Sequence, residues 1–218
     1  MADARFTGRP TVPVLWDKKR KTIVNNESGE LFRMLGGEFN ALADNPALDL
    51  YPAALRERID DWNERLQRDV NRGIYGVAFA TTAAEREAVA TRFLAALRSL
   101  DKHLAHQRFL CGDEPTEADW LLFPALIRFE WVYRTLTRMD QHSLAHFPHL
   151  LAYTRELYQW PGIAATQDMA LTRQSYFTSL LRLNPSGVVP PYTGVDFAPP
   201  RQVVADLTGD NGGVPRRA

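Results

Sequence analysis

The sequence has 218 residues in which 26 basic side chains balance 26 acidic ones, so it lacks the positive excess that marks a nucleic-acid-binding surface. A single cysteine excludes an internal disulfide framework and fits a reducing compartment. We find neither a signal-peptide core near the start nor an apolar run long enough to span a bilayer, and therefore expect a cytoplasmic protein that binds neither nucleic acid nor membrane.

The first 37 residues predict a β-hairpin followed by a helix. Residues 11–17 and 22–24 are short runs of β-forming side chains separated by a charged turn, and a helix is expected to run from Glu27 and Ser28 to Leu35. A two-stranded hairpin is marginal in water, and an apolar sheet edge is normally covered. We therefore expect this hairpin to belong to a sheet whose other strands lie outside this chain.

The middle of the chain predicts a linker and two amphipathic helices. Residues 36–51 contain the breakers of a linker, and residues 52–71 carry apolar side chains at spacings of three and four. Residues 72–80, with two glycines, predict a turn that displays Tyr75. A second amphipathic helix is expected over residues 82–104.

A buried central helix is predicted after Pro115. Thr116 stands three residues before Asp119, which is the spacing of a helix capping box, and the following residues are apolar on nearly every side. Further helices are expected from Pro148 to a stop at Pro161, and over residues 163–181. Short loops between the helices favour a bundle. The segment from residue 184 is rich in proline and glycine and is expected to be extended, with the residues after about 205 disordered.

Several segments resemble one family in order along the chain. They read TVPVLWD, TIV-x-NES, N-x-GIY-x-x-x-FA, TEADW, LYQ-x-PG and NPSGVVP. Together they resemble the glutathionyl-hydroquinone reductases, the Xi class within the omega-like part of the glutathione transferase superfamily, over roughly residues 5–192. The resemblance implies a mostly α fold, in which an all-helical glutathione transferase C-terminal domain follows a partial thioredoxin-like hairpin and helix.

The same resemblance implies a division of the chain into four parts. Residues 1–37 would be the partial thioredoxin-like, glutathione-binding domain, and residues 38–51 the linker. Residues 52–183 would be the helical domain, and residues 184–218 an extended, partly disordered tail.

The resemblance implies a glutathione half-site on the hairpin. Val12 and Pro13 match a cis-proline position whose backbone pairs with the cysteinyl part of glutathione. Glu27 and Ser28 match the pair that holds the γ-glutamyl end, and Trp16 matches a flanking aromatic residue. From the residues alone, Glu27 and Ser28 could merely cap a helix, and Trp16 could be a core residue.

Two tyrosines match positions that face the quinone cleft of the family, Tyr75 and Tyr176. A phenol there can donate to a quinone oxygen or stabilise a developing phenolate, although each could also be an amphipathic residue at the edge of the core. The chain departs from the family pattern at Ser175 and Phe177, where the family has histidine and tyrosine, at Leu122, where it has arginine, and over residues 137–145. These differences concern the cleft more than the fold.

The family's nucleophile, a cysteine in a Cys-Pro-Trp-Ala motif that precedes the hairpin, has no counterpart in this sequence. Cys111 is expected to be a small buried residue. The implied function is glutathione-dependent reduction of glutathionyl-hydroquinones by a chain that we expect to be truncated. The alternative is a non-catalytic binding or dimerisation module built on the helical domain.

The expected ligands are glutathione, as co-substrate, and aromatic or quinone conjugates, and the resemblance implies a homodimer. The histidines that lie three or four residues apart, His103 with His106 and His142 with His146 and His149, could bind zinc. They lack accompanying carboxylates or thiols, so no metal site is expected.

Overall fold

The computed structural model describes residues 7, 12–199 and 201. Its described part is a helical bundle preceded by a short antiparallel hairpin, of strands β1 Leu15–Asp17 and β2 Thr22–Asn25. The predicted disorder after about residue 205 lies outside the described residues.

The helices within this part are numbered in chain order. They are α1 Ser28–Gly37, α2 Arg56–Leu66, α3 Arg72–Phe79, α4 Ala83–Leu104, α5 Glu117–Arg128, α6 Arg134–Leu136, α7 Pro148–Tyr158 and α8 Met169–Ser179. Short 3-10 turns occur at Asn40–Leu42, Ala53–Leu55, Leu144–His146 and Ala164–Thr166. The mostly α fold class predicted from the sequence is thereby confirmed. None of the described helices combines the length and apolar character needed to cross a membrane.

Two π turns keep successive helices continuous. The first π turn, Gln67–Asn71, joins α2 to α3, and the second π turn, Phe129–Tyr133, joins α5 to α6. The sequence prediction of a turn over residues 72–80 is therefore wrong, because this segment is helical from Arg72 to Phe79. Its glycines serve helix packing: a Cβ on Gly76 would stand 2.9 Å from the Cγ1 of Val89 on α4.

The core lies between α2, α3, α4, α5 and α7, with α5 at its centre. Leu122, Leu126 and Ile127 of α5 are fully buried. At the start of this helix the Asp119 carboxylate accepts from the Thr116 backbone N–H at 2.7 Å, as the capping box predicts, and also from the Leu110 N–H and the Tyr153 hydroxyl. Asp119 thus ties the preceding loop and α7 to the central helix.

The hairpin and the residues next to it expose several apolar side chains. Its sheet has two strands, in which Trp16 pairs with Ile23. The exposed fractions of Val12 and Val14 are 90% and 46%. Leu35 and Leu42, in and just after α1, are also exposed. The apolar edge predicted from the sequence is thus open within the described residues.

Candidate functional site

Three tyrosine hydroxyls form a chain at one end of the bundle. The hydroxyl oxygen of Tyr133 lies 3.2 Å from that of Tyr75 and 2.9 Å from that of Tyr176. The rings of Tyr133 and Tyr176 meet edge to face with centroids 5.5 Å apart. Tyr133 is 7% exposed whereas Tyr75 is 45% exposed, so the chain of hydroxyls leads from the core to the surface.

Each tyrosine comes from a different element. Tyr75 lies on α3, Tyr133 ends the second π turn, and Tyr176 lies on α8. Gly76 allows α3 to pack closely on α4, which fixes the position of Tyr75 relative to the bundle. A π turn inserts an extra residue into the helix, and such turns are frequent at functional sites.

The environment of Tyr75 and Tyr133 keeps these two phenols protonated. Burial raises the pKa of Tyr133, and its hydrogen bonds to Tyr176 and Tyr75 raise it further. Burial also raises the pKa of Tyr75, although its hydrogen bond with Tyr133 and the nearby charge of Arg128 oppose this shift. At neutral pH Tyr75 and Tyr133 are therefore neutral hydroxyls that can both donate and accept hydrogen bonds.

A small apolar notch lies beside the phenols. Its walls are side chains from α3, the second π turn, α6 and the segments that follow α6 and α8. They are Ile74, Tyr75, Ala78, Phe79, Tyr133, Leu136, Thr137, Leu180 and Leu183. Its volume is about 10 Å³, which is space for about one water-sized group.

The residues predicted for the glutathione half-site lie on the hairpin and at the start of α1. The Val12–Pro13 peptide bond is cis, which is the geometry that the resemblance implies. Glu27 immediately precedes α1, and its N–H donates to the Asn25 side chain at 2.7 Å. Trp16 is half-buried on β1. Within the described residues, no hydrogen bond or ring contact joins this set to the tyrosines.

Pro13 and Ser28 line the same groove, between the hairpin and α1. The groove has a volume of about 300 Å³, and its other walls are apolar: Val14, Leu15, Leu31, Phe32, Met34, Leu35 and Phe39. Ser28 supplies its hydroxyl at the first turn of α1, where backbone N–H groups lack helical partners. The groove therefore combines polar groups at one end with an apolar wall.

An ion-pair network attaches α1 to the bundle. The Arg33 guanidinium donates from Nε to both carboxylate oxygens of Glu117, at 2.9 and 2.8 Å, and from Nη2 to Asp60 at 2.5 Å. Glu117 is buried at the start of α5, and there it also accepts from the Asn63 amide at 2.6 Å. Tyr51 packs its ring against Arg33. This network fixes the helix of the hairpin unit against the central helix.

Cys111 and the histidines take structural positions. Cys111 is buried, and burial raises the pKa of its thiol, which disfavours the thiolate that a nucleophile requires. The His103 ring lies 3.1 Å from the Leu110 carbonyl and packs against Trp62. Across the part of the chain that the structure describes, no group of three or more potential ligands is arranged for a metal ion.

Sequence reasoning did not predict Tyr133 as a site residue, although its hydroxyl joins the two predicted tyrosines. It was interpreted only as part of the buried central helix. Its sequence signal is a polar hydroxyl at the end of an otherwise apolar run, since a buried tyrosine hydroxyl usually finds a partner. The burial of Glu130 and Arg134 is also not predicted from the sequence, although their exposed fractions are only 1% and 6%.

Comparisons with known proteins agree on one family. Residues 83–156 match the family described as the C-terminal domain of glutathione S-transferase. The chain is 40% identical over 188 residues to the glutathionyl-hydroquinone reductase YqjG of Escherichia coli K12, covering 86% of this chain and 57% of the relative. It is 37% identical to the glutathionyl-hydroquinone reductase PcpF of Sphingobium chlorophenolicum, covering 87% of this chain and 60% of the relative.

Solved structures give the same grouping. The glutathione-bound structure of YqjG from Escherichia coli K-12 superposes with a TM-score of 0.87 at 39% identity, covering 92% of this chain and 65% of that one. A Xi-class glutathione transferase from Phanerochaete chrysosporium gives a TM-score of 0.84 at 38% identity, with coverages of 91% and 64%. The chain thus spans about three fifths of the length of the curated relatives that it matches.

Proposed function

The chain belongs to the glutathione transferase superfamily, with the sequence and fold of its Xi class, and from this premise we propose that it acts in glutathione-dependent reduction of glutathionyl-hydroquinones. The relatives that carry this name are longer than the present chain. The proposal therefore concerns what the residues of this chain contribute to such a reaction.

The observation that carries the proposal is the chain of hydroxyls at Tyr75, Tyr133 and Tyr176 beside an apolar notch. A hydroquinone offers two ring oxygens and an apolar ring, which match protonated phenols next to an apolar wall. Because the Tyr133 hydroxyl is fixed by both neighbours, the phenols can donate to a ring oxygen without reorganising. We assign Tyr75 and Tyr176 to direct contact with the hydroquinone.

In the proposed reaction a thiolate attacks the sulfur of the conjugate. The ring reacts as its keto tautomer, in which the sulfur-bearing carbon already carries a proton. An S–S bond forms, the bond between sulfur and this carbon breaks, and the electron pair passes to the ring oxygen as a phenolate, which takes a proton from water and leaves as hydroquinone. A second glutathione then reduces the mixed disulfide and departs as glutathione disulfide. The tyrosine phenols stabilise the negative charge that develops on the ring oxygens as the bond breaks.

The attacking thiolate has to come from outside the residues described above. Cys111, the one cysteine of the sequence, is buried and its thiol has a raised pKa. The thiol is therefore assigned to another polypeptide segment or to a thiol in solution. This chain's own part is to bind glutathione and to hold the hydroquinone.

We assign glutathione to the groove between the hairpin and α1. The backbone beside Pro13 would pair with the cysteinyl part, while Glu27 and Ser28 would hold the γ-glutamyl end at the helix N-terminus. Trp16 would flank this site. The groove that Pro13 and Ser28 share supports this assignment.

The remaining assignments follow from the family. We propose a cytoplasmic homodimer without a metal cofactor. We also retain the division into a glutathione-binding unit at residues 1–37, a linker at 38–51, a helical domain at 52–183 and a tail from 184.

Calorimetric titration with glutathione tests this proposal. We expect the wild-type chain to bind glutathione, and Glu27→Ala to lose that binding because the γ-glutamyl end loses its partner. Glu57→Ala, an exposed carboxylate on α2, is the matched control and should bind as wild type. If folded wild-type protein does not bind, the glutathione half-site does not function in this chain.

One observation, the burial of Cys111, favours a second candidate function. A chain without an accessible thiol could serve as a non-catalytic binding or dimerisation module on the helical bundle. Absence of glutathione binding in the titration would favour this alternative, whereas binding that depends on Glu27 would favour the role in hydroquinone reduction.

A further inference from the structure

The segment after α8 packs along the bundle in an extended conformation. We call it the strap, residues 184–199 and 201. Phe197 is 3% exposed, and its ring contacts Trp131 and Tyr158. The Gln159 amide at the end of α7 donates to three successive strap carbonyls, at 2.6 to 3.2 Å. The strap is therefore held by specific contacts.

The strap also contacts the second π turn through Glu130. This carboxylate is 1% exposed, and it accepts from the Val195 N–H of the strap at 3.2 Å and from the Leu144 N–H at 2.8 Å. A Cβ on Gly194 would lie 2.4 Å from Glu130 Oε1. Glycine is therefore required for the strap to approach this carboxylate.

Arg173 joins the strap, α8 and the second π turn. Its guanidinium donates to the Trp131 carbonyl through Nη1 and to the Pro190 carbonyl of the strap through Nη2, the latter at 2.5 Å. The residue is 5% exposed, and no carboxylate pairs with it within the described chain. Burial lowers the pKa of Arg173. Its hydrogen bonds thus go to two backbone carbonyls on separate segments.

The contacts of Arg173 affect the positions of Tyr133 and Tyr176, because only short stretches of backbone separate them from these tyrosines. Trp131, whose carbonyl accepts from Arg173, precedes Tyr133 by two residues on the same π turn. Arg173 itself precedes Tyr176 by one helical turn on α8. The guanidinium therefore links the two elements whose hydroxyls meet at 2.9 Å.

We propose that Arg173 is a positioning residue, which together with the strap fixes α8 against the second π turn and so sets the contact between Tyr133 and Tyr176. Its planar fork can bind two carbonyls at once, which a lysine ammonium does less rigidly. The inference rests on the proposed function only in that Tyr176, one of these two tyrosines, is assigned to the hydroquinone. Its test requires neither glutathione nor hydroquinone, so it can fail independently.

The test is NMR titration of protein labelled with ¹³C at the tyrosine Cζ, whose shift reports ionisation of each phenol. The resonance of Tyr133 is identified by its loss in Tyr133→Phe. In wild type we expect this phenol to stay neutral well above the pH at which an exposed tyrosine ionises, because burial raises its pKa. In Arg173→Gln it should titrate at least about one pH unit lower, because a displaced phenol gains water.

The direction in which the pKa of Tyr133 changes distinguishes the loss of its position from the loss of the Arg173 charge. The groups near Tyr133 that influence its ionisation are the phenols of Tyr75 and Tyr176, with Arg128 acting on Tyr75. Removal of a positive charge alone would raise the pKa of Tyr133, whereas loss of its position lowers it. Arg173→Lys keeps the charge but loses the fork, so it should shift in the same direction as Arg173→Gln.

Two further variants complete the experiment. Gly194→Ala displaces the strap from Glu130 and crowds Tyr192, whose ring lies against Arg173, while it keeps the Arg173 side chain itself. It should also lower the pKa of Tyr133 even if Arg173→Gln does not fold. Arg92→Gln, an exposed arginine on α4, should titrate as wild type. A Tyr133 resonance that titrates as in wild type in Arg173→Lys and in Gly194→Ala would overturn the proposal.

Discussion

At the scale of single residues, buried carboxylates hold the described chain together. Asp119 and Glu130 each accept from several donors on distant segments, and Glu117 binds the guanidinium of Arg33. A buried carboxylate costs solvation free energy unless such donors surround it. These residues therefore act as attachment points between segments that the chain places far apart.

Glu117→Gln should weaken the attachment of α1. The amide is neutral and therefore loses the charge-assisted bond to Arg33. Its NH₂ group also faces a donor, on either Arg33 or Asn63, with which it cannot form a hydrogen bond. We expect the free energy of unfolding to fall by about 2 kcal/mol. Urea denaturation followed by circular dichroism measures this change. Glu87→Gln, an exposed carboxylate on α4, is the control, and equal midpoints for both variants would contradict the role given to Glu117.

At the scale of elements, the close contact between α3 and α4 determines where Tyr75 lies. Gly76→Ala adds a Cβ that would stand 2.9 Å from Val89 Cγ1. The stiff β-branched side chain cannot move aside without changing rotamer, so we expect a loss of about 1 kcal/mol in stability despite the better helix propensity of alanine. Urea denaturation again provides the measurement.

Gly73→Ala is the matched control on the same helix. Its Cβ would lie 3.4 Å from the nearest Phe93 atom, an ordinary contact, so the higher helix propensity of alanine should leave stability equal or improved. A Gly76→Ala variant at least as stable as Gly73→Ala would show that α3 has room to move from α4.

The elements also show what the sequence can predict. Helical periodicity located α2 and α4, the flanking prolines located α7, and the capping box located the start of α5, because each is a local signal. The α3 segment was predicted as a turn because its glycines resemble breakers, whereas they serve a contact with a helix that no local rule specifies. Tyr133 was missed for the same reason: its partners lie 58 and 43 residues away.

At the scale of the whole molecule, the hairpin unit of β1, β2 and α1 has less buried packing to stabilise it than the bundle has. The hairpin has two strands, and α1 attaches to the bundle chiefly through Arg33 and its packing on α5. By contrast, α5 is surrounded by buried side chains. Local opening free energies follow such differences in burial.

Hydrogen exchange should therefore separate the two regions. We expect the paired amides of β1 and β2 to exchange at least about 100-fold faster than those in the centre of α5, because opening the hairpin exposes little core. Mass spectrometry of peptic fragments measures both in one experiment. Comparable protection of the two regions would mean that hairpin and bundle open as one unit.

Exposed apolar side chains lie in two regions of the described molecule. Val12, Val14, Leu35 and Leu42 are on the hairpin and near α1, and a second set, Phe79, Leu171, Leu181 and Val188, is on α3, on α8 and in the segment that follows α8. A particle of this kind adsorbs to hydrophobic resins and to air–water boundaries through these surfaces. Its recovery during purification should consequently respond to mild detergent far more than to ionic strength.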